Sequence, residues 1–64
     1  MLLGMEARYL GPRDQITFYG EHAEVVSAYT YAGVYGETTV LEYRYAGATR
    51  TSTVRMSANA QIEV

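Results

Sequence analysis

Hydrophobic and polar residues alternate with a period of two along most of this chain, the pattern of strands that bury one face and leave the other to solvent. Gln15–Tyr19 shows it cleanly, with Ile16 and Phe18 on one side and Thr17 and Tyr19 on the other. Upstream, residues 1–5 form an apolar leader expected to be mobile, and Glu6–Leu10 is read as a first strand. That strand stops at Gly11-Pro12-Arg13-Asp14, which carries turn-forming residues where a tight reversal needs them. Gly20-Glu21 closes the next strand. The segment beginning at His22 fits either a helix over HAEVVSA or a strand running to Tyr31. Adjacent valines, the lack of a capping box and the Tyr-Thr-Tyr that follows favour the strand.

The stretch from Tyr29 to Tyr45, YTYAGVYGETTVLEYRY, predicts a hairpin. A three-residue loop, Val34-Tyr35-Gly36, with glycine in the left-handed last position, would set Tyr31 against Thr39, Tyr29 against Leu41 and Ser27 against Tyr43. A second hairpin, turning at Gly47-Ala48 with glycine first, would pair Tyr45 with Arg50, Tyr43 with Ser52, Leu41 with Val54 and Thr39 with Met56. These registers place Val25, Ser27, Tyr29, Tyr31, Leu41, Tyr43, Tyr45, Val54 and Met56 on a core face. Glu24, Val26, Thr30, Val40, Glu42, Arg44, Thr51, Thr53 and Arg55 fall on the solvent face, where Glu42 is expected to meet Arg44 and Arg55. Tyr35 should stand at the loop tip.

Ser57-Ala58-Asn59-Ala60 interrupts the alternation and reads as a helical turn before a last short strand, Gln61–Val64. The fold class expected is therefore all-β: a small five-stranded antiparallel barrel or strongly curved sheet, with one short helical turn before the last strand. The order of elements, with Ala7-Arg8-Tyr9 and the Val54 to Val64 segment as local matches, is similar to SH3-like barrels. The chain departs from that pattern where Pro-rich peptides would bind: it has no tryptophan, and the turn lacks its proline and tyrosine. The resemblance implies an architecture and no ligand.

Size and composition narrow the possible chemistry. A 64-residue chain reads as one domain, and folding at this size buries only about 60% of the surface exposed when unfolded. With no cysteine and a single histidine, His22, neither a disulfide nor an all-protein zinc site is expected, and self-association is the remaining support. The net charge is −2, and all five basic residues are arginines. Arginine pairs and stacks in planar fashion, but scattered arginines outnumbered by carboxylates disfavour a nucleic-acid partner. No segment approaches a membrane span or an export signal, so the expected location is cytoplasmic.

For catalysis, His22 beside Glu21 and Glu24 is the one neutral-pH base, and a short chain has little with which to build a pocket around it. No phosphate-binding glycine loop is present. The expectation is a protein without catalytic residues, cofactor or metal. Seven tyrosines exceed what so small an interior holds, because each phenol needs a partner for its hydroxyl. Tyr19, Tyr35 and Tyr45, at strand ends or a loop tip and near Arg13 or Arg50, form the candidate binding set, since tyrosine and arginine dominate interaction hot spots. Three functions follow: an interaction or assembly module engaging a protein partner or a second copy, a single-strand nucleic-acid binder using aromatic stacking, and a minimal oligomeric enzyme with an intersubunit site.

Overall fold

The computed structural model describes residues 3–64. Six strands form one antiparallel sheet: β1 (Gly4–Glu6), β2 (Gln15–Phe18), β3 (Glu21–Gly33), β4 (Gly36–Tyr45), β5 (Ser52–Ser57) and β6 (Gln61–Glu63). Their order across the sheet is β1-β6-β2-β3-β4-β5, so β1 and β5 are edges and the sheet does not close. The class is all-β as expected, with six strands in place of five because the short segments near each end pair with one another, Gly4 with Glu63 and Met5 with Ile62. Of the leader, Gly4 and Met5 are thus in the sheet, while Met1 and Leu2 lie outside the described residues.

The helical turn sits elsewhere than expected. Ala7–Tyr9, read as strand, forms a single 3-10 turn, whereas Ser57–Ala60 is a turn closed by the Ala60 N–H on the Ser57 carbonyl at 2.9 Å. The two turns are bound together, Ala7 N–H to Ala60 O at 2.8 Å and Arg8 N–H to Ala58 O at 3.1 Å. Such close backbone approach is possible because Ala7 and Ala58, both buried, have methyl side chains. A continued strand at 7–10 would lose these bonds. Arg8 adds a 3.1 Å ion pair to Glu37 and a hydrogen bond to the Asn59 side-chain oxygen, fastening the turns to β4.

The His22 segment is strand, beginning at the second residue of the thirteen-residue β3. Its register with β4 corrects the expected one. Tyr31 faces Thr38, Tyr29 faces Val40 and Ser27 faces Glu42, then a bulge at Val26 shifts the pairing so that Val25 faces Tyr43. The connecting loop is two residues, with Gly33 paired to Gly36. Gly36 holds φ 114°, and a Cβ on Gly33 would lie 3.1 Å from the Gly36 carbonyl oxygen, so both glycines are needed for this tight closure. In the second hairpin Tyr43 pairs with Ser52, Leu41 with Val54 and Thr39 with Met56, as expected. Tyr45 and Arg50 do not pair; the chain leaves the ladder after Tyr43 into a longer loop, with Gly47 (φ 83°) in a turn closed by Ala48 N–H on Tyr45 O.

The bulge decides which side chains are inside. An extra residue reverses the alternation, so Val25 stays on the core face while Ser27, Tyr29 and Tyr31 turn to the outer face. Ile16, Ala23, Val25, Leu41, Tyr43 and Ile62 form the core with Ala7 and Leu10, and Phe18, Ala28, Tyr45, Val54 and Met56 pack against it. Tyr43 is 7% exposed and Tyr29 is 61% exposed, so of the four tyrosines expected on the core face Tyr43 and Tyr45 stay with the core while Tyr29 and Tyr31 lie on the opposite face. Thr30 takes the inner position next to buried Thr39, and their hydroxyls meet at 2.8 Å. The outer-face ion pairs also differ: Arg44 meets Glu24 at 3.4 Å, and Glu42 accepts from the Ser27 and Thr51 hydroxyls.

Candidate interaction surface

Strand β2 covers the flank of β3 only from Glu21 to Glu24, and the Val25 backbone completes the contact by bonding to Arg13 and Asp14. From Val26 to Gly33, the backbone of β3 pairs with β4 alone, and its other edge is open among the described residues. On the outer face of this projecting hairpin Tyr29 and Tyr31 lie side by side, ring centroids 6.2 Å apart and Tyr31 40% exposed. Val34 and Tyr35 occupy the two loop positions at the tip and are fully in solvent. No charged residue occurs between Glu24 and Glu37, so the β3 side of the projection and its tip are neutral, while the β4 side carries Glu37, which pairs with Arg8, and Glu42.

A second aromatic group lies at the other end of β3. Tyr19, Phe18, Tyr43 and Tyr45 form a row with successive centroid distances of 4.5, 5.1 and 5.3 Å. Only Tyr19 in this row is largely exposed, at 85%. Desolvation raises the Tyr45 phenol above its ordinary 10.0, with hydrogen bonding to Tyr43 and the nearby charge of Glu21 acting in the same direction. The phenol therefore stays neutral in neutral solution and serves as a hydrogen-bonding group.

Two candidate residues adopt backbone conformations that suit glycine. Tyr19 (φ 52°) and Gly20 (φ 78°) fill both central positions of the two-residue loop between paired Phe18 and Glu21, the arrangement for which Asn-Gly is the favoured sequence. Arg13 (φ 75°) follows Pro12 in a turn closed by Asp14 N–H on Gly11 O at 3.2 Å, the position normally given to glycine. A bulky residue in the left-handed region carries strain of about 1–3 kcal/mol. Both side chains are projected into solvent.

The five expected binding residues do not form one site in a single copy. Tyr19, Tyr45 and Arg50 belong to the end where β2 turns into β3 and β4 leaves the sheet. Arg13 lies beside Val25 within β3, and Tyr35 stands at the far tip. Tyr29, Tyr31 and Val34 were absent from the expected set, and the signal that marks them is the charge-free interval itself. His22 borders a shallow depression of about 260 Å³ with Gln15, Glu24 and Arg44. There Glu24 is engaged by Arg44, and among the described residues no three His, Cys, Asp or Glu side chains cluster to hold a metal ion. Among the described residues no helix is long and apolar enough to cross a membrane.

In comparisons with known proteins, no family model matches the chain and no curated protein shows significant similarity to it.

Proposed function

We propose that this protein is a non-enzymatic assembly module that associates through the exposed tyrosines of its β3–β4 hairpin, a second copy of the chain being the first partner. The observation that carries this reading is the placement of Tyr29, Tyr31, Val34 and Tyr35 on the uncharged β3 strand and tip of a hairpin that projects beyond the core. Exposed tyrosine supplies large, rigid contact area with a hydroxyl for hydrogen bonding, and an uncharged surface is cheap to desolvate. A 64-residue domain without disulfides gains stability by mass action when its folded form associates. The stacking alternative for single-stranded nucleic acid is weaker, because the net charge is −2 and Tyr43 is buried, which leaves Tyr19 and Tyr31 as its exposed rings.

Light scattering across a concentration series tests the reading. The expected result is a mass above the 7.1 kDa monomer that falls on dilution, and a return to monomer for a Tyr29→Ser/Tyr31→Ser/Tyr35→Ser variant with unchanged circular dichroism. A mass of one chain at every concentration would overturn self-association.

A further inference from the structure

The open edge of β3 reads the same in both directions. From Ala28 the sequence runs Ala-Tyr-Thr-Tyr-Ala, symmetric about Thr30. We propose that two copies of the chain pair antiparallel along this edge about a two-fold axis through Thr30, joining their sheets into one. This rests on the self-association reading above and specifies its geometry. In the paired register Thr30 faces its own copy, Tyr29 faces Tyr31 of the second copy, and Ala28 faces Ala32.

The phase of the backbone suits that register. Val25 directs its N–H to the Asp14 carbonyl and its C=O to the Arg13 N–H, both away from β4, whereas the His22 carbonyl is turned to Ala46 on the β4 side. The two-residue loop makes Gly33–Gly36 a hydrogen-bonded pair, and antiparallel alternation back to the bulge at Val26 then makes Tyr31, Tyr29 and Ser27 the residues that bond inward to β4. Ala28, Thr30 and Ala32 are left pointing their N–H and C=O groups outward. Those three residues are the ones the symmetric register matches with one another, giving about six inter-chain backbone hydrogen bonds. Tyr29 and Tyr31 then fall at the non-hydrogen-bonded pairs, where facing side chains approach most closely, and the four rings gather on one outer face.

Natural edge strands are usually protected by charge, proline, shortness or covering elements. Edge strand β1 has only three residues, and β5 carries Arg55. The β3 edge has none of these protections beyond the bulge at its start, so its covering by a like edge is self-consistent in charge as well as sequence. Isologous pairing uses each edge once and closes at two copies, without propagating into a filament. It also sets the tip of each hairpin end-on to the Gly11–Asp14 turn of the other copy, because Arg13 and Asp14 hold Val25 where the open edge begins. Arg13 and Tyr35, far apart in one chain, become neighbours across the axis.

The chain has no cysteine, so single-cysteine variants report the register cleanly. Facing residues at a hydrogen-bonded antiparallel pair have Cα atoms about 5.5 Å apart, within disulfide reach. Mild oxidation of Thr30→Cys should give near-complete covalent dimer. Ala28→Cys alone should remain uncrosslinked, and Ala28→Cys mixed with Ala32→Cys should crosslink as a heterodimer. Thr30→Pro removes an outward N–H and the hydroxyl bonded to Thr39, leaves the backbone ladder to β4 in place, and should yield a folded monomer by light scattering and circular dichroism. If the wild type associates but Thr30→Cys does not crosslink and Thr30→Pro still associates, this edge is the wrong one while self-association stands. If the wild type is monomeric throughout, both fail.

Discussion

The bulge at Val26 assigns Tyr29 and Tyr43 to opposite faces, and their truncation should therefore have very different costs. Tyr43 is almost wholly buried and touches Phe18 and Tyr45 edge-on, with centroids 5.1 and 5.3 Å away. Removing a large buried aromatic leaves a cavity and strips its neighbours of contacts, so Tyr43→Ala is expected to cost about 3–5 kcal/mol. A domain of this length has a total stability of about 3–10 kcal/mol, so the loss takes a large part of it and shifts the unfolding midpoint strongly downward. Tyr29 keeps more than half its surface in solvent, and its ring neighbour is Tyr31 on the same exposed face. Tyr29→Ala should cost less than about 1 kcal/mol. The comparison is best made by urea denaturation followed by circular dichroism in the Thr30→Pro background, where association no longer adds concentration-dependent stability. The expected slopes are equal and the midpoints far apart. Equal midpoints, or a larger loss for Tyr29→Ala, would refute the shifted register and the face assignments that depend on it.

Two further outcomes follow from the strained turn and the aromatic row. Tyr19→Asn relieves a left-handed backbone at the first position of its turn and should raise stability by about 0.5–1 kcal/mol, read as a higher melting temperature. A lower one would mean that the Phe18 contact outweighs the strain. Because the Tyr45 phenol is raised in the folded state, folding favours its protonated form. Its contribution is complete below the unfolded value near 10.0 and is lost as pH rises through the folded value. The urea midpoint should fall over that alkaline range, and Tyr45→Phe should flatten the fall; an unchanged profile in that variant would assign the effect to another tyrosine.

Much of the fold is legible in the residues. Alternation in Gln15–Phe18 and β-forming residues along β4 and β5 identify those strands, and the β4–β5 register is the one a reversal at Gly47-Ala48 predicts even though the chain leaves the ladder earlier than that tight turn would require. The 3-10 turn at Ala7–Tyr9 is not legible, because what holds it is a backbone contact with Ala58 and Ala60 some fifty residues along the chain. At the candidate surface, tyrosine and arginine chemistry points to Tyr19, Tyr35 and Arg13 as exposed residues. Nothing in the sequence signals that Tyr19 and Arg13 carry positive φ, since glycines stand next to Tyr19 and two places before Arg13.

By itself the sequence determined an antiparallel all-β chain with a tyrosine-bearing hairpin, because period-two patterning and glycine-containing turns are local properties. Only the tertiary structure decided which tyrosines are inside. Val25 and Val26 are both apolar and β-branched, so neither is marked as the extra residue. The choice is made by the pairing of β3 with two neighbours at once, β4 on one flank and the Arg13–Asp14 backbone on the other. That single residue moves Tyr29 and Tyr31 from the expected core to the outer face and leaves Ala28, Thr30 and Ala32 aimed at an open edge.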